Sequence, residues 1–327
     1  MDKKIILSGM RPTGKLHIGH WVGALSNWVQ LQKDYTCFFM VADWHSLMSE
    51  YKFPEQLKEY AFDNVCDWLS FGIDPESSAV FVQSEVPEHL ELFFILSVLT
   101  PLGWLYRCPT YKDQIKQLQE KEVNTYSFLG YPVLQAADIL IYKATHVPVG
   151  QDQLPHLELC REIARKFNFL YKKDVLVQPQ ALLTKESRLL GLDGRKMSKS
   201  YGNSIYLDDS DEEIDKKVMS MITDPARIKK DDPGHPEVCN VFSYYKVFSP
   251  QRVEDAADWC SNAKKGCVAC KRELAESLKV FLAPSREKKK EILKKKDYIY
   301  DILKTGRKKA QSAALTTVNE VKKAMNL

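Results

Sequence analysis

The sequence has no long apolar run, no internal repeat, no low-complexity block and almost no net charge. Its longest nearly uncharged apolar stretch, Leu92 to Leu105, contains Pro101. It falls short of the roughly 20 residues that cross a bilayer, which excludes a helical membrane span there. The start, Met1-Asp-Lys-Lys and then only IILSGM before Arg11, lacks the apolar core and cleavage site of a secretory signal. A cytoplasmic protein without a membrane partner is expected. With 47 Lys plus Arg against 43 Asp plus Glu, a net charge of +4 gives no argument for nucleic acid. That total conceals an asymmetry: residues 285–327 carry 13 basic and 5 acidic side chains, so a basic tail follows a mildly acidic body.

What is present is a globular composition, 44% hydrophobic and 28% charged over 327 residues. This excludes disorder over most of the chain and allows one large core or about two domains. Eight cysteines in a reducing compartment are not expected to form a disulfide framework. Cys37, Cys66, Cys108 and Cys160 lie among apolar residues and read as small buried hydrophobes. Cys239, Cys260, Cys267 and Cys270 are instead concentrated within 32 residues.

Short β-rich runs alternate with helical periodicity through the first 180 residues. Residues 4–8, 37–42, 79–82, 146–149 and 174–178 read as strands, and 16–31, 54–71, 88–100, 126–142 and 153–169 as helices. The fold class is therefore α/β, with a parallel sheet whose ligands bind beyond the carboxyl ends of its strands. From Asp209 onward only helical patterns remain, and Lys288 to Lys296 reads as an amphipathic helix with a basic outer face.

The first strand runs into GMRPTGKLHIGH, Gly9 to His20. Gly9-x4-Gly14-Lys15 matches most of a P-loop, but Leu16 stands where a hydroxyl should reach magnesium. The other reading is His17-Ile18-Gly19-His20 at a helix start. Residues three apart share a face, so both imidazoles can meet phosphate oxygens at the positive end of the helix dipole. The companion segment, Gly194 to Asn203 (GRKMSKSYGN), sets Arg195, Lys196 and Lys199 among small hydroxyl residues and glycines. Such a loop can close over a triphosphate and neutralise departing pyrophosphate.

HIGH followed about 180 residues later by KMSKS resembles the signature pair of the class I aminoacyl-tRNA synthetases. The segments GMRPTGKLHIGHWVGAL, VADWHSL, YPVLQAADILIYKATHVPVGQDQLPHLELCREIARKFN, GRKMSKSYGN and MITDPARI make the whole chain similar to the tryptophanyl-tRNA synthetases. That resemblance implies a Rossmann-type catalytic domain with a connective insertion over 1–205, a helical anticodon-binding domain over 206–285, and C-terminal basic helices over 286–327 that pack back on the catalytic half. It implies L-tryptophan, ATP with Mg2+ and tRNA(Trp) as ligands, and a homodimer. His17, His20, Lys112, Lys196 and Lys199 would serve catalysis, and Arg11, Gly19, Asp152, Met197 and Ser198 would join them in binding ATP. Arg11 replaces the glutamine of many bacterial relatives, which leaves its role open.

Tyr131, Gln135 and Asp138 are spaced to share one helix face. A carboxylate among apolar residues needs a donor, and indole offers an N–H and no acceptor, so Asp138 suits tryptophan. Pairing with a protein group is the alternative. By the resemblance, His45, Val147, Val149 and Gln153 complete the tryptophan pocket. Asp152 is expected either as the N-cap of the next helix or as the ribose-binding group, roles that a single residue can combine. The nucleophile would be the substrate's own ionised carboxylate, so no general base is needed.

Four thiolates in the order Cys239-x20-Cys260-x6-Cys267-x2-Cys270 suit zinc or an iron–sulfur cluster. The single close pair does not resemble a zinc ribbon. A subset of bacterial tryptophanyl-tRNA synthetases carries a 4Fe-4S cluster on cysteines in a similar order, which favours that group over zinc, with free thiols as the remaining alternative. Three rival functions are tyrosyl-tRNA synthetase, a metal-bound RNA-binding protein with a vestigial active site, and a small-molecule adenylyltransferase. The last leaves KMSKS and the cysteines unexplained.

Overall fold

The computed structural model describes residues 4–108, 125–183 and 189–327. The chain forms two compact units that interleave in sequence. The first comprises Met1–Gly14, Trp28–Lys185 and Lys295–Leu327, and the second Lys15–Asn27 and Glu186–Lys294. Compactness therefore groups the chain differently from a linear division at residue 205.

The first unit is built on five parallel strands, β1 Ile5–Met10, β2 Thr36–Val41, β3 Ser78–Val82, β4 His146–Val149 and β5 Gln180–Leu183. Their order is β3-β2-β1-β4-β5. The direction of strand addition reverses between β1 and β4, the kind of switch point beyond which α/β sheets bind ligands. β2 is buried on both faces from Cys37 to Val41, as parallel strands covered by helices are.

The fifth strand is displaced from the expected 174–178. Asn168 takes up the backbone there: its Oδ1 accepts from Val175 N (3.2 Å) and Leu176 N (3.0 Å), and its Nδ2 donates to Leu176 O (2.8 Å). Val175 and Leu176 are buried without joining the sheet at that point, so their apolar pattern reports burial rather than strand.

Helices Glu88–Leu99 and Tyr126–Ile141 pack on each other and on the sheet. The helix Lys296–Met325 lies along β3, burying Ile299, Ala310, Ala314, Val318 and Val321 while Lys304, Arg307, Lys308 and Lys309 stay exposed. Gly306 permits this approach, since a Cβ there would stand 1.9 Å from Val80 O. The basic tail is thus divided: residues 286–293 end the helix Cys267–Leu293 of the second unit, so Lys288 to Lys296 is not one helix, and the amphipathic helix Lys296–Met325 completes the core of the first unit with its apolar face.

Below Asp209 the second unit is helical among its described residues: Asp211–Ser220, Asn240–Phe248, Val253–Ser261 and Cys267–Leu293. The first is started by a reciprocal capping box between Ser210 and Glu213. The last runs through Pro284, which lies inside the helix. Ile214, Val218, Val241, Tyr244, Leu274, Leu278 and Leu282 form the core of this unit. No helix among the described residues is long and apolar enough to cross a membrane.

Candidate functional site

Both signature motifs fall in the second unit, where HIGH pairs through its backbone with residues 205–207, just beyond the KMSKS segment. Ile18 N donates to Ile205 O (3.0 Å) and Leu207 N to Leu16 O (3.0 Å), with an antiparallel bridge between His17 and Tyr206. Gly19 is needed for closeness: a Cβ there would come within 2.9 Å of the His17 ring and 3.2 Å of Met197 Sδ. His17 N donates to His20 Nδ1 at 3.1 Å. A neutral His20 then carries its proton on Nε2, free to donate to a ligand. Burial, reinforced by the Lys199 charge, pushes the His17 ring down to about 4. Burial followed by the charges of His17 and Lys199 drives His20 well below the ordinary histidine range. At neutral pH both rings are uncharged hydrogen-bond donors, leaving the positive charge here to the KMSKS lysines.

The KMSKS loop is fixed by Asn203. Its Oδ1 accepts from Ser198 N (2.9 Å), and its Nδ2 donates to Asp193 Oδ1 (2.7 Å) and Lys196 O (3.1 Å). The Asn203 amide, then Arg195, hold the Asp193 carboxyl down to about 2. Arg195 also lies over the Tyr201 ring at 4.6 Å. The latching role of Asn203 and Asp193 is not evident in the sequence, although Asn203 closes the quoted motif.

In the first unit Asp138 is 2% exposed and held by three protein donors. His45 Nε2 meets Oδ2 at 2.7 Å, while Gln83 Nε2 (2.8 Å) and His89 Nδ1 (2.7 Å) meet Oδ1. Burial opposes ionisation, yet the His45 and His89 hydrogen bonds hold the Asp138 carboxyl below its usual range. An ionised carboxylate only accepts, so both rings donate to it. The pairing with protein groups carried as the alternative for Asp138 is thus present. His89 and Gln83 carry no local motif and were not expected in the site. His45 lies not at the end of β2 but on the helix Asp43–Glu50 that follows it, with its ring 4.9 Å from that of Tyr131. Two buried polar atoms beside this network, His45 Nδ1 and Gln135 Oε1, have no hydrogen-bond partner among the described residues.

Val147 and Val149 are buried on β4, and Arg11 is exposed just past β1. Asp152 does not cap the following helix. It sits in the turn Gln151–Gln153, bonded to Gln153 Nε2 at 3.1 Å, while Gln153 takes the N-cap position of Leu154–Tyr171 without a side-chain cap. Adjacent pairing of β1 and β4 puts Arg11 and Asp152 beyond the carboxyl ends of neighbouring strands. Lys112 lies outside the described residues.

Cys239, Cys260, Cys267 and Cys270 line one cavity of about 20 Å³ together with Arg227, Trp259 and Lys265. Cys239 precedes one helix and Cys267 begins another, where exposed amides favour thiolate. Burial raises the Cys239 and Cys260 thiols and pushes Cys270 up to about 11. Among the described residues no three His, Cys, Asp or Glu side chains are disposed to hold one metal ion. The nearby cations are engaged: Lys264 pairs with Asp258 (2.7 Å), Lys265 with Glu273, and Lys271 donates to Met219 O (3.0 Å).

Residues 2–283 match the family of tRNA synthetases class I (W and Y). The chain is 51% identical to the tryptophan–tRNA ligase of Thermotoga maritima, covering 98% of this chain and 99% of that one. It is 42% identical to the tryptophan–tRNA ligase of Aquifex aeolicus, covering 98% and 99%. The crystal structure of tryptophanyl-tRNA synthetase from Campylobacter jejuni complexed with ADP and tryptophan superposes with a TM-score of 0.88 at 34% identity, over 99% of this chain and all of that one. This chain belongs to the class I tRNA synthetases of the tryptophan and tyrosine family.

Proposed function

We propose that the chain is a tryptophan–tRNA ligase that condenses L-tryptophan with Mg·ATP to tryptophanyl-adenylate and diphosphate, then transfers the amino acid to the 3′ end of tRNA(Trp). The observation that carries the reading is the backbone pairing of HIGH with residues 205–207, which follow KMSKS, beside two uncharged imidazoles. The tryptophan carboxylate attacks the α-phosphorus, and its oxygen replaces the bridging oxygen that leaves with diphosphate. His17 and His20 donate hydrogen bonds to the phosphates, and Lys196, Lys199 and Lys112 offset the spreading negative charge. Met197, Ser198 and Gly19 line the nucleotide, Asp152 accepts from its ribose, and Arg11 meets the phosphates.

On the amino-acid side, Asp138 accepts the indole N–H while Val147, Val149 and His45 flank the ring. Tyr131, Gln135 and Gln153 hold the ammonium and carboxylate, a role supported by the unpartnered Gln135 oxygen. Helices between 206 and 285 bind the anticodon. The protein works in the cytoplasm as a homodimer; Leu90, Phe94 and Val98, four residues apart on the helix Glu88–Leu99, are exposed apolar side chains suited to a second copy. For the four clustered thiols, two at helix starts and flanked by Arg227 and Lys265, the order of the cysteines in the sequence is the ground for proposing a 4Fe-4S cluster over zinc. Such a cluster would staple the surrounding helices; iron absent and zinc present in anaerobically purified protein would contradict this.

ATP–diphosphate exchange tests the main reading. Exchange should depend on tryptophan and be near background with tyrosine. Exchange driven equally by tyrosine would favour the tyrosine enzyme, and tRNA binding without any exchange would favour a vestigial site.

A further inference from the structure

We infer that His89 is a positioning residue for tryptophan selection: braced by Tyr142, it holds Asp138 so that a single lone pair of Oδ2 is left for the substrate. The inference rests on the reading of Asp138 as the indole acceptor.

His89 is fully buried, and both of its ring nitrogens are engaged. Nδ1 meets Asp138 Oδ1 at 2.7 Å and Nε2 meets the Tyr142 hydroxyl at 2.7 Å. Burial, then the charges of Asp138 and Glu88, keeps the Tyr142 phenol protonated. It can therefore donate to Nε2, which leaves Nδ1 as the protonated nitrogen that donates to Asp138. Each carboxylate oxygen has two in-plane lone pairs. Oδ1 is filled by Gln83 Nε2 and His89 Nδ1, whereas among the described residues Oδ2 receives only His45 Nε2. The carboxylate is thus anchored through Oδ1 and presents one unfilled acceptor direction.

A fixed acceptor selects by penalising a substrate that brings no donor, because a buried oxygen is then left unpaired. An acceptor free to turn can find water or another protein donor, and the penalty shrinks. His89, which lies 49 residues before Asp138 and offers no group of its own on Oδ2, would act on selectivity only through this anchoring.

The test compares exchange kcat/KM for tryptophan with that for β-(benzothiophen-3-yl)alanine, which replaces the indole N–H by sulfur. The wild-type preference is expected to be on the order of 10- to 100-fold, the cost of one buried acceptor left unpaired. Asparagine at position 89 can keep an N–H where the imidazole Nδ1 stands, whereas glutamine places its amide nearer Tyr142. His89→Asn should retain most of the preference, and His89→Gln should reduce it to about threefold or less, with KM for ATP unchanged in both. Tyr142→Phe, which removes only the brace, should lower the preference several-fold and supplies the same reading if position 89 tolerates no change. Equal, wild-type preferences in all three variants would overturn the inference. If wild type and Asp138→Asn are both indifferent to the N–H, the reading of Asp138 itself fails, a result distinct from failure at His89.

Discussion

The phosphate-binding motifs and the buried carboxylate solve opposite electrostatic problems. Around HIGH and KMSKS, buried imidazoles are kept neutral, and positive charge sits on lysines of a loop latched by Asn203. Around Asp138 a full negative charge is buried and made tolerable by three donors from distant parts of the chain. Departing diphosphate develops charge only during reaction, so its partners gain from being donors and cations presented on a loop. Recognition of a neutral N–H is needed before reaction, so its acceptor gains from being immobile. A buried charge with several partners loses much when any part is removed, whereas an exposed lysine such as Lys196 can be truncated without harm to folding.

That contrast can be broken most forcefully at Asp138. Asp138→Ala strands three buried donors and should lower unfolding free energy by about 3–5 kcal/mol in denaturant titrations, with exchange abolished. A loss under about 1 kcal/mol would mean that the network carries little. Lys199→Ala should instead lower exchange kcat by roughly 100- to 1,000-fold. Lys196→Ala, at the exposed lysine of the same loop, should keep the denaturant midpoint near that of wild type.

Between these extremes lies Asn203→Ala, which frees three hydrogen bonds of the KMSKS loop. It should cost about 1–3 kcal/mol, readable as a drop in unfolding free energy together with a smaller fall in kcat than Lys199→Ala gives. The smallest effect is a pH slope. His17 titrates near 4 when folded and near 6.5 when unfolded, so the unfolded chain binds more protons between these values. Stability from this group is therefore full above about pH 6.5 and falls as pH drops toward 4. His17→Asn should flatten that slope between pH 4.5 and 6.5 by less than about 1.4 kcal/mol per pH unit. An unchanged slope would show that His17 is not held neutral.

Much of this was legible in the sequence where the signal is local. Four of the five strands, the helices following β1, β3 and β4, and both phosphate motifs are contiguous patterns of residue type, whereas the helix Asp43–Glu50 after β2 was not read. The fifth strand was misplaced because Val175 and Leu176 are apolar for burial while Asn168, one helix earlier, claims their backbone. The partners of Asp138 were illegible for a different reason. Gln83 lies 55 and His89 49 residues before it, and neither belongs to a motif, so only the folded chain brings them to one carboxylate. Likewise the neutrality of His17 and His20 depends on burial and on Lys199, about 180 residues away in sequence.

The division of labour is tested most directly by the KM for tryptophan in ATP–diphosphate exchange, measured for Asp138→Asn beside Lys199→Ala. The account predicts that Asp138→Asn raises it at least tenfold, while Lys199→Ala loses kcat and keeps it within about twofold of wild type. An unchanged KM for tryptophan in Asp138→Asn, or a rise in Lys199→Ala as large as that of Asp138→Asn, would contradict it.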